Sequence, residues 1–142
     1  MSSFTPGRAL VIGVGAYDDE RWDVPTATRD AAELHALLID PARGGYDAGK
    51  AELLIDARAT REEIVRALRR LADRCDEQSI ALISLTCHGA MGDDGLYYLA
   101  SSDARFTRDG IAAGTGLSVR TLAAALRDIS AGRVLLIVNA CS

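Results

Sequence analysis

Three stretches of nearly continuous apolar, partly β-branched residues constrain this chain more than any other feature: 8–14, Arg-Ala-Leu-Val-Ile-Gly-Val; 79–86, Ser-Ile-Ala-Leu-Ile-Ser-Leu-Thr; and 133–138, Arg-Val-Leu-Leu-Ile-Val. Each has strand length, and none shows the polar alternation of a strand with one wet face, so each predicts a strand covered on both sides. Between them the period changes. Ala31, Leu34 and Leu38 recur at helical spacing behind Thr28 as a cap, and Pro41 and Gly44-Gly45 close that segment. Residues 50–56 form a further short strand, and Thr60-Arg-Glu-Glu63 then gives a capping-box pattern with Ile64, Leu68, Leu71 and Cys75 on one face. After the third strand the chain turns acidic and glycine-rich, with a loop over 91–95, a short strand at 96–99 and an irregular stretch over 101–116. Ser118 caps a third helix, whose Val119, Leu122, Leu126 and Ile129 share a face and which Gly132 ends.

Strands that alternate with helices require right-handed crossovers, so the expected fold class is α/β, a mostly parallel sheet of about four strands flanked by three helices. The 142 residues contain no repeat, linker or low-complexity tract, and one domain spanning 1–142 is expected. The most apolar strand comes last, without the elements that normally cover such a strand. The chain is therefore expected to be the first portion of a larger fold, completed by the same polypeptide or by a processed chain.

Composition narrows the function classes. The formal charge of −4, from 16 basic and 20 acidic residues, disfavours attraction to phosphate backbones and hence nucleic acid as a partner. Lys50 is the only lysine, a bias we read as GC-rich bacterial coding. Cys75, Cys87 and Cys141 are an odd number at wide spacing, which fits neither a disulfide scaffold nor a zinc site. The N-terminus has no signal-peptide core and no run spans a membrane, so a reducing cytoplasm is the expected compartment.

In an open α/β sheet the ligand crevice lies outside the carboxyl ends of the strands. His88 follows the third strand and Cys141 the fourth. If those strands are neighbours, a thiol and an imidazole share one crevice, the combination that makes a thiolate nucleophile and a proton donor for a leaving amine. Gly89 permits close backbone approach, and its N–H, with that of Cys141, can meet an oxyanion. The remaining candidates have structural explanations. Cys75 completes a helix face, Cys87 ends a buried strand, and His35 lies beside the Leu34 and Leu38 face of the first helix. Gly13-Val-Gly15 lacks the rest of a phosphate-binding fingerprint. Asp93 and Asp94 lack the alternating oxygens of a calcium loop and read as a solvated turn.

Taken together, Ala9-Leu-Val-Ile-Gly-Val-Gly-Ala-Tyr17, Arg29-Asp-Ala-Ala-Glu-Leu34, Cys87-His88-Gly89, Leu96-Tyr-Tyr-Leu-Ala-Ser-Ser-Asp103 and Val134-Leu-Leu-Ile-Val-Asn-Ala-Cys141 resemble, in order and spacing, the caspase and metacaspase cysteine peptidases and their bacterial relatives. The histidine precedes the cysteine by 53 residues, against about 50 in caspases. The resemblance implies a caspase-like three-layer sandwich, of which this chain is the large-subunit portion. It implies Cys141 as nucleophile, His88 as general acid, Gly89 as oxyanion-hole donor and a peptide bond as substrate. Asn139 stands where metacaspases typically have aspartate, and Asp30 falls on the acidic position that metacaspases use for substrate arginine or lysine. Both are therefore assigned to substrate binding. A helix-dipole role for Asp30 in the first turn is the competing explanation. No resident metal or cofactor is implied, although some metacaspases are activated by Ca²⁺ through acidic loops. The implied partners are a protein or peptide substrate, the small-subunit portion of the fold and a regulatory or sensor domain. Two other readings stand beside this one: an inactive caspase-like interaction or oligomerisation module, and a flavodoxin- or receiver-like signalling domain.

Overall fold

The structure, a computed structural model, describes residues 3–140 in full and the backbone of Cys141. The apolar runs form three adjacent strands of one sheet, the last of them at its edge. β1 (Gly7–Gly13), β2 (Ala51–Ile55), β3 (Ile80–Met91) and β8 (Arg133–Cys141) lie parallel in the order β2-β1-β3-β8. α1 (Pro25–Ile39) and α2 (Arg61–Arg74) connect the first three of these strands, and α3 (Val119–Arg127) precedes β8.

Alternate residues of β1 serve two apolar layers. Leu10 and Ile12 belong to the main core with Leu54, Ile64, Leu68, Ile83 and Leu85, while Ala9 joins Ala51, Leu82 and the end of α1. Fully burying one such aliphatic side chain stabilises the fold by about 1.5–3 kcal/mol, so the sheet centre anchors the molecule. The layers are thus α1, the sheet, and α2 with α3 beside it, the three-layer α/β architecture expected from the sequence.

Local chemistry accounts for most boundaries. Thr60 caps α2 by accepting the Glu63 N–H at 3.2 Å, and Ile64, Ala67, Leu68 and Leu71 form its buried stripe. Ser118 likewise accepts from Thr121 N–H at 3.0 Å at the start of α3. Three expectations shift. α1 begins at Pro25, where a fixed φ suits the first helical position, so Thr28 is inside the first turn instead of capping it. α3 ends at Arg127, well before Gly132; Val119, at its first position, is exposed, and Ile129 is buried beyond the helix. The stretch over 101–116 contains a small hairpin, β5 (Phe106–Thr107) with β6 (Gly110–Ile111), and leads into β7 (Leu117–Ser118).

A fourth correction bears on function. β3 was expected to end at Thr86, but it continues to Met91. Its partner β1 stops at Gly13, opposite Thr86, and β4 (Tyr97–Leu99) takes over antiparallel along the extension, with Gly89 opposite Leu99 and β7 beyond it. A run of hydrogen bonds to two successive partners keeps Cys87, His88 and Gly89 in extended backbone. On the other side β8 follows β3 from Ile80 opposite Arg133 to His88 opposite Cys141.

Candidate active site

His88 occupies the point on β3 where β1 has ended, β4 has begun and β8 reaches Cys141. The two residues marked out by the sequence are Cα partners across the parallel ladder, at the carboxyl end of the sheet. Neighbouring strands are about 4.8 Å apart, so the two backbones meet with no intervening element. The side chain of Cys141, the expected nucleophile, lies outside the described residues.

The surroundings of His88 come from the loop after β1. Its backbone N–H donates to the Tyr17 hydroxyl at 2.9 Å, and its carbonyl accepts from Ala100 N–H at 2.8 Å. Its ring nitrogen Nε2 is 2.7 Å from the carbonyl oxygen of Trp22. A carbonyl only accepts, so Nε2 carries a proton, and in the neutral form of the ring Nδ1 is the basic nitrogen. Tyr17, Trp22 and Phe106 surround the imidazole with ring centroids at 5.4, 5.9 and 6.1 Å, and Trp22 stacks on Phe106 at 4.4 Å. Aromatics are 5% of the chain, so this grouping is a concentration of a scarce residue type. Sequence reading missed all three in this role. Tyr17 lay in a quoted motif and Trp22 is the one tryptophan, but a backbone carbonyl as orienting group leaves no residue-type signature.

The loop over 15–24 is itself closed. Val24 N–H donates to Gly15 carbonyl at 2.7 Å, Tyr17 N–H to the Asp23 carboxylate at 2.9 Å, and Trp22 N–H to Asp19 carbonyl at 3.0 Å. A side chain at Gly15 would meet the Val24 carbonyl at 2.5 Å, so the closure needs glycine there. The Gly13-Val-Gly15 turn does not offer its amides to a phosphate, because the Asp56 carboxylate already accepts from Gly15 N–H at 2.9 Å and Ala16 N–H at 3.0 Å.

Gly89 is buried beside Tyr97. A Cβ there would collide with the Tyr97 hydroxyl and meet Ala140 Cβ at 3.0 Å. The bond from Ala100 N–H to His88 carbonyl makes Gly89 and Leu99 a non-hydrogen-bonded pair, which turns the Gly89 N–H away from β4 and toward the β8 side. A cleft of about 90 Å³ at this end of the sheet is lined by Asp30, His88 and Asn139 together with Val24, Ala27 and Thr86. It brings together the candidate base and both residues assigned to substrate binding. Asp30 is exposed on α1 and Asn139 lies on β8, opposite Thr86.

The other candidates have structural partners. Burial pushes the Cys87 thiol up to about 12, which keeps it neutral and unreactive in the core. Burial likewise raises the Cys75 thiol at the end of α2. His35 Nε2 is 2.9 Å from Ala51 carbonyl and ties α1 to β2. Asp93 accepts from Ala113 N–H, and Asp94 accepts from the Tyr98 hydroxyl at 2.6 Å, a bond that holds its carboxyl below the usual range. No cluster of three or more potential metal ligands occurs among the described residues. No helix among them is long and apolar enough to cross a membrane.

A family model for the caspase domain of C14 peptidases matches residues 6–142. No curated protein matches the chain. Among solved structures, a crystal structure of a protein from Geobacter sulfurreducens is similar at 21% identity and a TM-score of 0.69. The match covers 93% of this chain and 48% of that one, so the chain spans about half the length of its structural neighbour.

Proposed function

The chain belongs to the caspase-domain family, and from that premise we propose that it is the part of a cysteine endopeptidase that carries the catalytic dyad, cutting after arginine or lysine. The observation that carries the proposal is the pairing of His88 with Cys141 across β3 and β8, with Nε2 of His88 held on the Trp22 carbonyl. That tautomer leaves Nδ1 to receive the thiol proton, the arrangement a Cys–His dyad needs.

In this reading the Cys141 sulfur attacks the scissile carbonyl as its proton moves to His88 Nδ1. The new oxyanion takes a hydrogen bond from the Gly89 N–H. The Trp22 carbonyl stabilises the imidazolium through Nε2–H. The tetrahedral species collapses when His88 returns the proton to the leaving amine and the C–N bond breaks, leaving a thioester on Cys141. Water, deprotonated by the same nitrogen, then hydrolyses the thioester and restores the thiol. No metal takes part in these steps.

The preference for a basic residue rests on Asp30 in the cleft beside His88. Its carboxylate would meet a substrate guanidinium or ammonium, with Asn139 as a neutral hydrogen-bonding wall. We assign the natural setting to the cytoplasm, with the completing small-subunit portion and a sensor or regulatory domain as partners.

The test is cleavage of a peptide panel that varies only the residue before the scissile bond, using the full protein. Cleavage after arginine or lysine is expected, lost by at least about 1,000-fold in Cys141→Ala and His88→Ala. Asp30→Asn should lower kcat/KM for those peptides by about 10–100-fold. Full activity in Cys141→Ala, or a sharp preference for aspartate that ignores Asp30→Asn, overturns the corresponding half of the proposal. A wild-type protein that binds peptides without cleaving them would instead be an inactive module.

A further inference from the structure

Asp56 is the one non-glycine residue with positive φ (52°) among the described residues. It follows β2 directly, at the same end of the sheet as His88. A left-handed backbone is unfavourable for residues with a Cβ and persists only where its surroundings demand it, asparagine and aspartate tolerating it best. What demands it here is on the side chain. Oδ1 of Asp56 accepts three hydrogen bonds, from Gly15 N–H at 2.9 Å, Ala16 N–H at 3.0 Å and the Thr28 hydroxyl at 2.7 Å. One carboxylate oxygen thereby joins the end of β1, the first turn of α1 and the end of β2.

The two amides belong to the loop that holds His88. Ala16 precedes Tyr17, whose hydroxyl accepts the His88 N–H. Gly15 accepts from Val24, two residues after the Trp22 carbonyl that fixes the imidazole tautomer. Both stems of the loop thus meet at Gly15, and Asp56 holds Gly15. Two adjacent N–H groups aimed at one oxygen form an anion-binding nest, and the chain fills it from within.

We propose that Asp56 is a positioning residue for the dyad. Through the loop over 15–24 its carboxylate sets where the Trp22 carbonyl and Tyr17 hydroxyl stand, and so fixes the tautomer and orientation of His88. The consequence for catalysis rests on the peptidase reading above, whereas the consequence for the imidazole does not.

The variants separate this role from simple stabilisation. Asp56→Gly removes the carboxylate but relieves the left-handed backbone, and Asp56→Asn keeps an accepting oxygen in a residue that tolerates that backbone. The full protein is read twice, by the ring-nitrogen resonances of His88 and by steady-state peptide cleavage. His35, two turns along α1 from Thr28 and held on Ala51 carbonyl at the start of β2, serves as an internal reference in the same spectrum. In Asp56→Gly the His88 resonances should move toward a mixture of tautomers while those of His35 stay in place. kcat should fall at least tenfold with KM within about twofold, and Asp56→Asn should restore kcat to within about threefold of wild type. If Asp56→Gly does not fold, Thr28→Val, which removes one of the three donors, is read in its place by the same resonances. His88 resonances unchanged in the folded variant overturn the proposal. If the wild-type protein cleaves nothing, the peptidase reading falls, and the resonances alone still decide the role of Asp56.

Discussion

The backbone N–H of His88 donates to the hydroxyl of Tyr17 at 2.9 Å, joining the strand that carries the candidate base to the loop that orients it. Tyr17 is buried, and burial raises the pKa of its hydroxyl, which therefore stays neutral at any ordinary pH. The contact places a polar group on a backbone amide at which β1 has already ended. It is the acceptor that a strand would otherwise have supplied.

Tyr17→Phe keeps the ring and removes only that acceptor. An amide left unsatisfied at a partly buried position costs about 1–3 kcal/mol, so the variant should unfold at a lower denaturant midpoint with an unchanged slope. A midpoint equal to that of wild type would mean that water replaces the hydroxyl without loss.

Gly89→Ala tests the tight side of the same strand. The added methyl runs into the Tyr97 hydroxyl and presses on Ala140 Cβ at 3.0 Å, and an overpacked buried site costs about 1–3 kcal/mol. The alanine N–H is still present, but the strand must shift to seat the methyl. We expect kcat to fall at least tenfold beside the stability loss, with Tyr97→Phe in the same chain recovering part of the stability. An alanine variant with wild-type denaturation and turnover would mean that Tyr97 swings away freely.

What the sequence revealed, and what it hid, divides along physical lines. The strands at the sheet centre were legible because a strand covered on both faces has no polar alternation, as at Leu10, Ile12, Ile83 and Leu85. Thr60 was legible as a cap because its side-chain bond is local. His88 is legible from its place at the carboxyl end of the third strand, Asp30 and Asn139 only through a family resemblance, and the structure gathers the three in one cleft. The extension of β3 through Met91 was not legible, since Cys87-His88-Gly89 reads as a loop until β4 supplies hydrogen bonds from beyond it. Trp22 acts through a main-chain oxygen, and Asp56 through three donors that lie 28 to 41 residues away. Neither kind of contact leaves a spacing pattern.

Cys87 gives a pH-dependent signature. Its thiol is pushed up to about 12 in the fold, against about 8.5 in an unfolded chain. Above pH 8.5 the unfolded state therefore releases this proton first, and the associated stability, complete below that pH, is lost as pH rises toward 12. A full proton difference corresponds to about 1.4 kcal/mol per pH unit. Cys87→Ala should make the decline between pH 9 and 10.5 shallower by roughly that slope while costing about 1 kcal/mol at neutral pH through lost packing. Parallel pH curves for the two proteins would show that Cys87 ionises inside the fold.

β8 supplies the remaining prediction. Val134, Leu135, Leu136, Ile137 and Val138 are 37–53% exposed, although their partners on β3, Ala81 to Leu85, are buried. Among the described residues β8 pairs only with β3, and apolar residues on both faces of such an edge form a template for another strand. A polypeptide of residues 1–142 by itself should accordingly self-associate at micromolar concentration, seen as a concentration-dependent mass in sedimentation. Leu135→Lys, placed on the most exposed of these positions, adds charge at the edge without touching the buried layer and should move the distribution toward monomer. Monomers at every concentration for the unaltered polypeptide would show that the edge is protected by its own twist or side chains.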